Sequence, residues 1–229
     1  MNKLQKFADL LTFPHVYENF SVKEDFLVGQ HGVELQMKGK WNSDHFKNDQ
    51  PITLELACGR GEYSVALGRM YPDRNFIGLD IKGARIWKGA KEALEEGLDN
   101  VAFLRCRIEM IHRFFEEDEV DEIWIIFPDP FLREGKSNRR LTSPRFLNQY
   151  KKLLKKGGLI HLKTDSPPLY EFTLESVEAD PDIELLYHDD NIYNKDLVMP
   201  ELEFKTYYEH MHLEDNRLIK YVRMRLKDR

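Results

Sequence analysis

Seven consecutive residues, Glu55-Leu56-Ala57-Cys58-Gly59-Arg60-Gly61, end one apolar run and open the next amphipathic stretch. Two glycines let a backbone approach a ligand closely, and the helix that follows offers unpaired N–H groups at its start. The third glycine of a dinucleotide fingerprint falls at Ser64, so the tight helix packing expected around a pyrophosphate is missing. Asp80 closes the next apolar run, Phe76-Ile77-Gly78-Leu79-Asp80, 19 residues after Gly61. A carboxylate there can accept both hydroxyls of a ribose. The set suits S-adenosylmethionine, whose sulfonium-linked tail needs no pyrophosphate cradle, with Glu55 facing the cationic methionine end. The competing roles are a buried structural carboxylate for Glu55 and a helix cap for Asp80.

A second candidate lies further on. Glu122-Ile123-Trp124-Ile125-Ile126-Phe127 runs straight into Pro128-Asp129-Pro130-Phe131. A proline on each side fixes the backbone and holds Asp129 at the end of a buried strand, where the cofactor's methyl group is expected. From there it can bond a base edge or stabilise developing positive charge. The plain alternative is an Asp-Pro turn with no chemistry. A ring nitrogen such as guanine N7 has a lone pair and no proton, so methylating it demands alignment more than a general base. In keeping with that, no Ser/His/Asp or Cys/His set stands out; His161, His210 and His212 read as structural or surface residues.

The elements that must position these residues alternate. Strands are predicted at 52–56, 75–79, 101–104, 122–127, 158–163, 183–187 and 217–225. Helices are predicted at 62–70, 83–96, 108–115, 143–155, 168–179 and about 205–212. Short apolar strands separated by helices indicate βαβ units and a parallel sheet, an α/β fold. The last strand alternates apolar with polar residues, as an antiparallel edge strand does. Residues 1–50, with Phe13, Tyr17, Phe20 and Phe26 scattered through them, read as an N-terminal extension packed partly on a main domain over 51–229.

With 229 residues, 41% hydrophobic and 32% charged, the chain has room for one substantial core. It shows no apolar run long enough to span a membrane, its first residues lack the apolar core of a secretory signal, and its two cysteines, Cys58 and Cys106, have no metal-ligand spacing. A cytoplasmic protein without metal or membrane partner is expected. The net charge of −6 argues against a polyanionic partner until its distribution is considered. Ten Lys or Arg and one acid fall between Phe131 and Lys163, leaving a net of −15 elsewhere. Such a strip can bind nucleic acid, because contact charges neutralise phosphates; the part over Lys151–Lys156 also fits a solvated helix face.

The ordered motifs Gly39-Lys40-Trp41, Glu55 to Gly61, Phe76 to Asp80, Phe127-Pro128-Asp129-Pro130, Arg139-Arg140-Leu141-Thr142, Lys163-Thr164-Asp165 and Thr206-x-Tyr208-Glu209 resemble those of the bacterial tRNA (guanine(46)-N7)-methyltransferase family, over residues 39–226. The resemblance implies a Rossmann-like class I methyltransferase fold: a seven-stranded, mostly parallel sheet with helices on both faces and an antiparallel last strand. It implies methyl transfer to a guanosine in the tRNA variable loop. Glu55, Gly59, Gly61, Asp80 and Asp129 match cofactor or reaction-centre positions, and Asp129 is the candidate catalytic residue. Arg133 stands where the family has a substrate-contacting lysine, and Asp165, Thr206, Tyr208 and Glu209 match guanosine-binding positions. Lys136, Arg139 and Arg140 are the implied RNA contacts. The chain departs from the pattern at Phe131, where the family has Trp, and at Arg107-Ile108, where it has Asp-Ala; a backbone N–H at Arg107 can still serve adenine.

Two other readings stand beside this one. Methylation of an exocyclic base nitrogen is disfavoured because Asp129, not a second proline, follows Pro128. A non-catalytic RNA-binding relative is disfavoured by the intact Glu55, Asp80 and Asp129, though Arg107 favours it. A monomer and a homodimer are equally compatible with the sequence.

Overall fold

The structure, a computed structural model, describes residues 2–19 and 21–227; Phe20 lies outside them. Seven strands follow the predicted order: β4 (Ile52–Leu56), β5 (Asn75–Asp80), β6 (Val101–Arg105), β7 (Val120–Ile126), β8 (Leu154–Thr164), β9 (Ile183–Asp189) and β10 (Lys220–Leu226). Three short N-terminal strands precede them: β1 (Val16–Glu18), β2 (Leu27–Val28) and β3 (Glu34–Leu35). All ten form one sheet in the order β3-β2-β1-β6-β5-β4-β7-β8-β10-β9. β4, β5, β6, β7 and β8 are parallel neighbours, and β10 is inserted antiparallel between β8 and β9.

The sheet is therefore larger than the expected seven strands. Residues 1–50 do more than lean on the domain: β1 pairs in parallel with β6, Val16 opposite Phe103. The Gly39-Lys40-Trp41 segment is anchored by Glu119, whose carboxylate accepts the N–H groups of Gly39 and Trp41 at 3.0 and 3.2 Å. The Trp41 indole is fully buried, donates to the Phe114 carbonyl at 2.8 Å and stacks on Phe115.

The central strands alternate between two apolar layers, as a sheet covered on both faces requires. Ile52, Leu54, Leu56, Ile77, Leu79, Ile123 and Ile125 join one core with α4 (Pro144–Leu153) and α5 (Pro167–Glu178). Phe76, Val101, Phe103, Trp124 and Ile126 join the other with α1 (Lys3–Leu10), α2 (Glu62–Met70) and α3 (Gly83–Glu96). Burying 35 such side chains on one face and 19 on the other supplies most of the driving force.

Three boundaries move. The predicted helix over 108–115 is a 3-10 turn, Ile108–Arg113. The fourth helix stops at Leu153 because β8 begins at Leu154, where Lys155 swings out to the Asp121 carboxylate. The last helix, α6, spans Tyr207–Glu214. β4 and β7 are adjacent, and the chain leaves them in opposite directions across the sheet. Their carboxyl ends make the switch point at which such sheets bind ligands.

Candidate active site

Both strand ends at the switch point are wound into backbone conformations that L-residues seldom adopt: Ala57 has φ 59° and Phe127 φ 46°, followed by Phe131 at 41°. Three of the seven such non-glycine residues among the described residues thus surround the switch point, and backbone held this way recurs at ligand sites. The glycine loop turns through Gly59 and Gly61, and a Cβ on Gly61 would sit 2.4 Å from the Phe103 ring. A Cβ on Gly89 of α3 would meet the Arg60 carbonyl at 2.6 Å, so helix and loop touch backbone to backbone.

Glu55 lies on the apolar face under α2, and burial pushes its carboxyl up to about 8. Ser64 opposes that by donating its N–H at 2.8 Å and its hydroxyl at 2.5 Å to the same carboxylate oxygen. Glu55 and Thr206 line a small cavity of about 70 Å³ with Arg60, Arg85 and Tyr208. Asp80 accepts the Gly59 N–H at 3.0 Å and the Lys82 N–H at 2.8 Å, joining the glycine loop to the start of α3. It does not cap α3, whose N-cap is Lys82 with no side-chain cap bond, and it faces a larger cavity of about 460 Å³ together with Arg107, Ile108, Asp129 and Arg139.

The Asp129 side chain is exposed and accepts the Phe131 N–H at 3.0 Å, a turn closed by its own carboxylate. Arg140 is buried beneath it, donating to the Pro130 and Phe131 carbonyls and stacking over Phe172. It holds the loop; its guanidinium does not reach out towards a polyanion. A third cavity of about 710 Å³ lies on the far side, lined by Pro130, Leu132, Asp165, His212 and Arg217. Phe127, Pro128 and Asp129 form the wall common to both large cavities, and Phe127 also borders the small one.

Asp165 accepts from the Arg217 guanidinium at 2.7 Å. Thr206 caps α6, taking the Glu209 N–H at 3.3 Å. The first turn of α6 docks on the glycine loop: Tyr207 N–H donates to Glu62 at 2.8 Å, and Arg60 lies 4.1 Å from the Tyr207 ring centre. Glu209 departs from expectation. Its carboxylate is fully buried, paired with Lys163 at 2.8 Å and hydrogen-bonded by the Tyr193 hydroxyl, and it borders none of the three cavities. Burial lowers the Lys163 ammonium, and Glu209 works against that loss.

The basic strip is also divided by its partners. Lys151 bonds Asp180 and Asp182, Lys155 bonds Asp121, and Lys163 is interior. Arg133 and Lys136 remain exposed on the turn Glu134–Arg139 and its cap. Four residues at the site were not among the expected site residues: Ser64, which stood out only as a missing glycine; Arg60, passed over inside the glycine motif; His212, read as structural or surface; and Arg217, which precedes the last strand by three residues. Among the described residues no group of His, Cys, Asp and Glu is placed to hold a metal ion, and no helix is long and apolar enough to cross a membrane.

Comparison with known proteins bears on this geometry. Residues 49–220 match the family model described as "Putative methyltransferase". The tRNA (guanine-N(7)-)-methyltransferase of Bacteroides thetaiotaomicron is 49% identical over 226 residues, covering 98% of this chain and 86% of that protein. That of Porphyromonas gingivalis is 52% identical over 215 residues, covering 92% and 84%. Among solved structures, the 16S rRNA methyltransferase KamB superposes with a TM-score of 0.62 at 14% identity, over 86% of this chain and 97% of that one, a likeness of fold.

Proposed function

The chain belongs to the tRNA (guanine-N(7)-)-methyltransferase family, and from that premise we propose that it methylates N7 of the guanosine at position 46, in the variable loop of tRNA. S-Adenosylmethionine supplies an electrophilic methyl group. The residues present fit it: Glu55 is a buried carboxylate whose hydrogen bonds come from Ser64 and which lacks a cationic partner among the described residues. A cationic amine in the small cavity would supply one. Asp80, in the neighbouring cavity, has carboxylate capacity left for the ribose hydroxyls. The glycines Gly59 and Gly61 and the backbone at Arg107 and Ile108 complete the cofactor contacts.

The observation that carries this reading is the shared wall Phe127–Asp129, with the 460 Å³ cavity that Asp80 faces on one side and the 710 Å³ cavity that Asp165 faces on the other. A methyl group and a ring nitrogen meeting across that wall need no proton removed, so alignment is what the site must supply. Asp129 stabilises charge developing on the base. Asp165, on the second cavity and steadied by Arg217, accepts the N1–H and N2–H of guanine. Thr206 and Tyr208 line the small cavity beside Glu55, and Arg133 caps the exposed turn Glu134–Arg139.

Labelled adenosylmethionine with unmodified tRNA, followed by chain cleavage at 7-methylguanosine, tests the assignment. Cleavage at position 46 is expected. Label at another guanosine overturns the position, and label at an exocyclic nitrogen overturns the atom.

A further inference from the structure

We propose that Lys82, Arg85, Arg107 and Arg139 form the track on which the phosphate backbone of tRNA crosses the mouth of the cofactor cavity; this rests on the tRNA reading above and names its charged contacts. All four line the 460 Å³ cavity and all four are exposed, which places them at its rim. They come from separate parts of the chain. Lys82 and Arg85 open α3, Arg107 follows β6, and Arg139 ends the turn before α4.

The ligand of this cavity does not call for them. S-Adenosylmethionine carries net positive charge, and four cations around it weaken its binding unless they serve another group. Nor are they spent on neighbours. Among the described residues none of the four is in an ion pair, although Asp80, Glu109 and Asp129 line the same cavity. Elsewhere Arg69, Arg74, Lys88, Lys151 and Lys155 are each matched to an acid. Arg139 and Arg85 lie instead over the rings of Phe131 and Tyr208, at 4.6 and 5.8 Å, which steadies a guanidinium without neutralising it. A steadied, unneutralised guanidinium suits a phosphate. In a chain of net charge −6, such a local field is needed to hold a polyanion. It also gives the Arg107 side chain a role apart from adenine, which its backbone can still serve.

Binding of unmodified tRNA by Arg107→Ala, Arg107→Lys and the double variant Arg85→Ala/Arg139→Ala, at several salt concentrations, tests the track. Adenosylmethionine affinity is measured separately by calorimetry. Arg107→Ala is expected to weaken tRNA binding about 5- to 10-fold and to lower the slope of log Kd against log salt by about 1, with Arg107→Lys close to wild type. The double variant loses about twice that slope, and cofactor affinity holds or rises in each. Unchanged tRNA affinity and salt slope in both alanine variants would overturn the track. So would a loss of adenosylmethionine affinity that accounts for the whole defect. Failure of the tRNA reading shows differently: the wild-type protein then binds no tRNA or labels another base.

Discussion

Ser64 gives both its backbone N–H and its hydroxyl to one oxygen of Glu55, in a layer otherwise built from Phe103, Trp124 and Val65. The position that a dinucleotide fold fills with glycine here prepares a carboxylate for a cation. Gly78 on β5 makes the room: a Cβ there would stand 2.9 Å from the Ser64 hydroxyl oxygen. Two donors on one oxygen hold the carboxylate ready, while burial keeps it protonated up to about pH 8 in the absence of a cation.

Adenosylmethionine affinity should therefore rise between pH 6.5 and 8.5, because the cationic ligand binds better to ionised Glu55 and must displace a proton below pH 8. Calorimetry in buffers of different ionisation enthalpy should show that proton release. Glu55→Gln should flatten the pH dependence and weaken binding at least tenfold; a pH dependence that survives in Glu55→Gln assigns it to another group. Ser64→Ala, with one donor lost, should weaken binding about 5- to 30-fold.

The same group sets a stability trend with the opposite sign. Its folded value lies above the ordinary 4.5, so its contribution is full below pH 4.5 and is lost as pH rises towards about 8. Thermal melts of the ligand-free protein should show that component, and Glu55→Gln should remove it. Saturating adenosylmethionine should raise the melting temperature more at pH 8.5 than at pH 6.5.

Much of this was legible in the sequence, for identifiable reasons. β4, β5 and β7 are buried on both faces, so their apolar runs stand out, and the residues that end them (Glu55, Asp80, Asp129) sit where the runs stop. The N-terminal strands were not legible, because β2 and β3 are two residues each and acquire strand character only by pairing. The burial of Glu209 was not legible for a related reason. A Thr-x-x-Glu turn looks the same whether its acid meets a ligand or a lysine 46 residues away, and Lys163 is such a long-range partner. How the basic strip divides was not legible, because a count of charges does not see Asp121, Asp180 and Asp182 folding back onto Lys151 and Lys155.

Asp129→Ala should abolish turnover while leaving the fold intact. The side chain is exposed, and its one hydrogen bond among the described residues closes a turn that two prolines and Arg140 already hold. A fall in kcat on the order of 10²-fold or more is expected, with little change in adenosylmethionine affinity and a melting temperature within a few degrees of wild type. Asp129→Asn, which keeps the turn but not the charge, separates geometry from electrostatics. Activity near wild type in Asp129→Ala would remove the residue from the reaction.

Arg140→Ala should behave differently, since its guanidinium is buried and its donors go to the carbonyls of Pro130 and Phe131. Loosening the loop should lower kcat and stability together, and Arg140→Lys should restore little, because an ammonium cannot reproduce the forked geometry. The salt slope of tRNA binding should stay near wild type, in contrast to Arg139→Ala.

Glu209→Gln tests whether the buried pair with Lys163 is scaffold. Removing one charge of a fully buried pair strands the other, at a cost of about 3–5 kcal/mol. Glu209→Gln and Lys163→Met should each shift urea unfolding to lower concentration by a comparable amount. The double variant Lys163→Met/Glu209→Met, which leaves no orphaned charge, should recover part of the loss. A substrate-contacting role predicts another pattern: Glu209→Gln would keep its unfolding midpoint and raise only KM for tRNA. Unfolding and kinetics on the same three proteins distinguish these, because the double variant can regain stability without regaining a guanine contact.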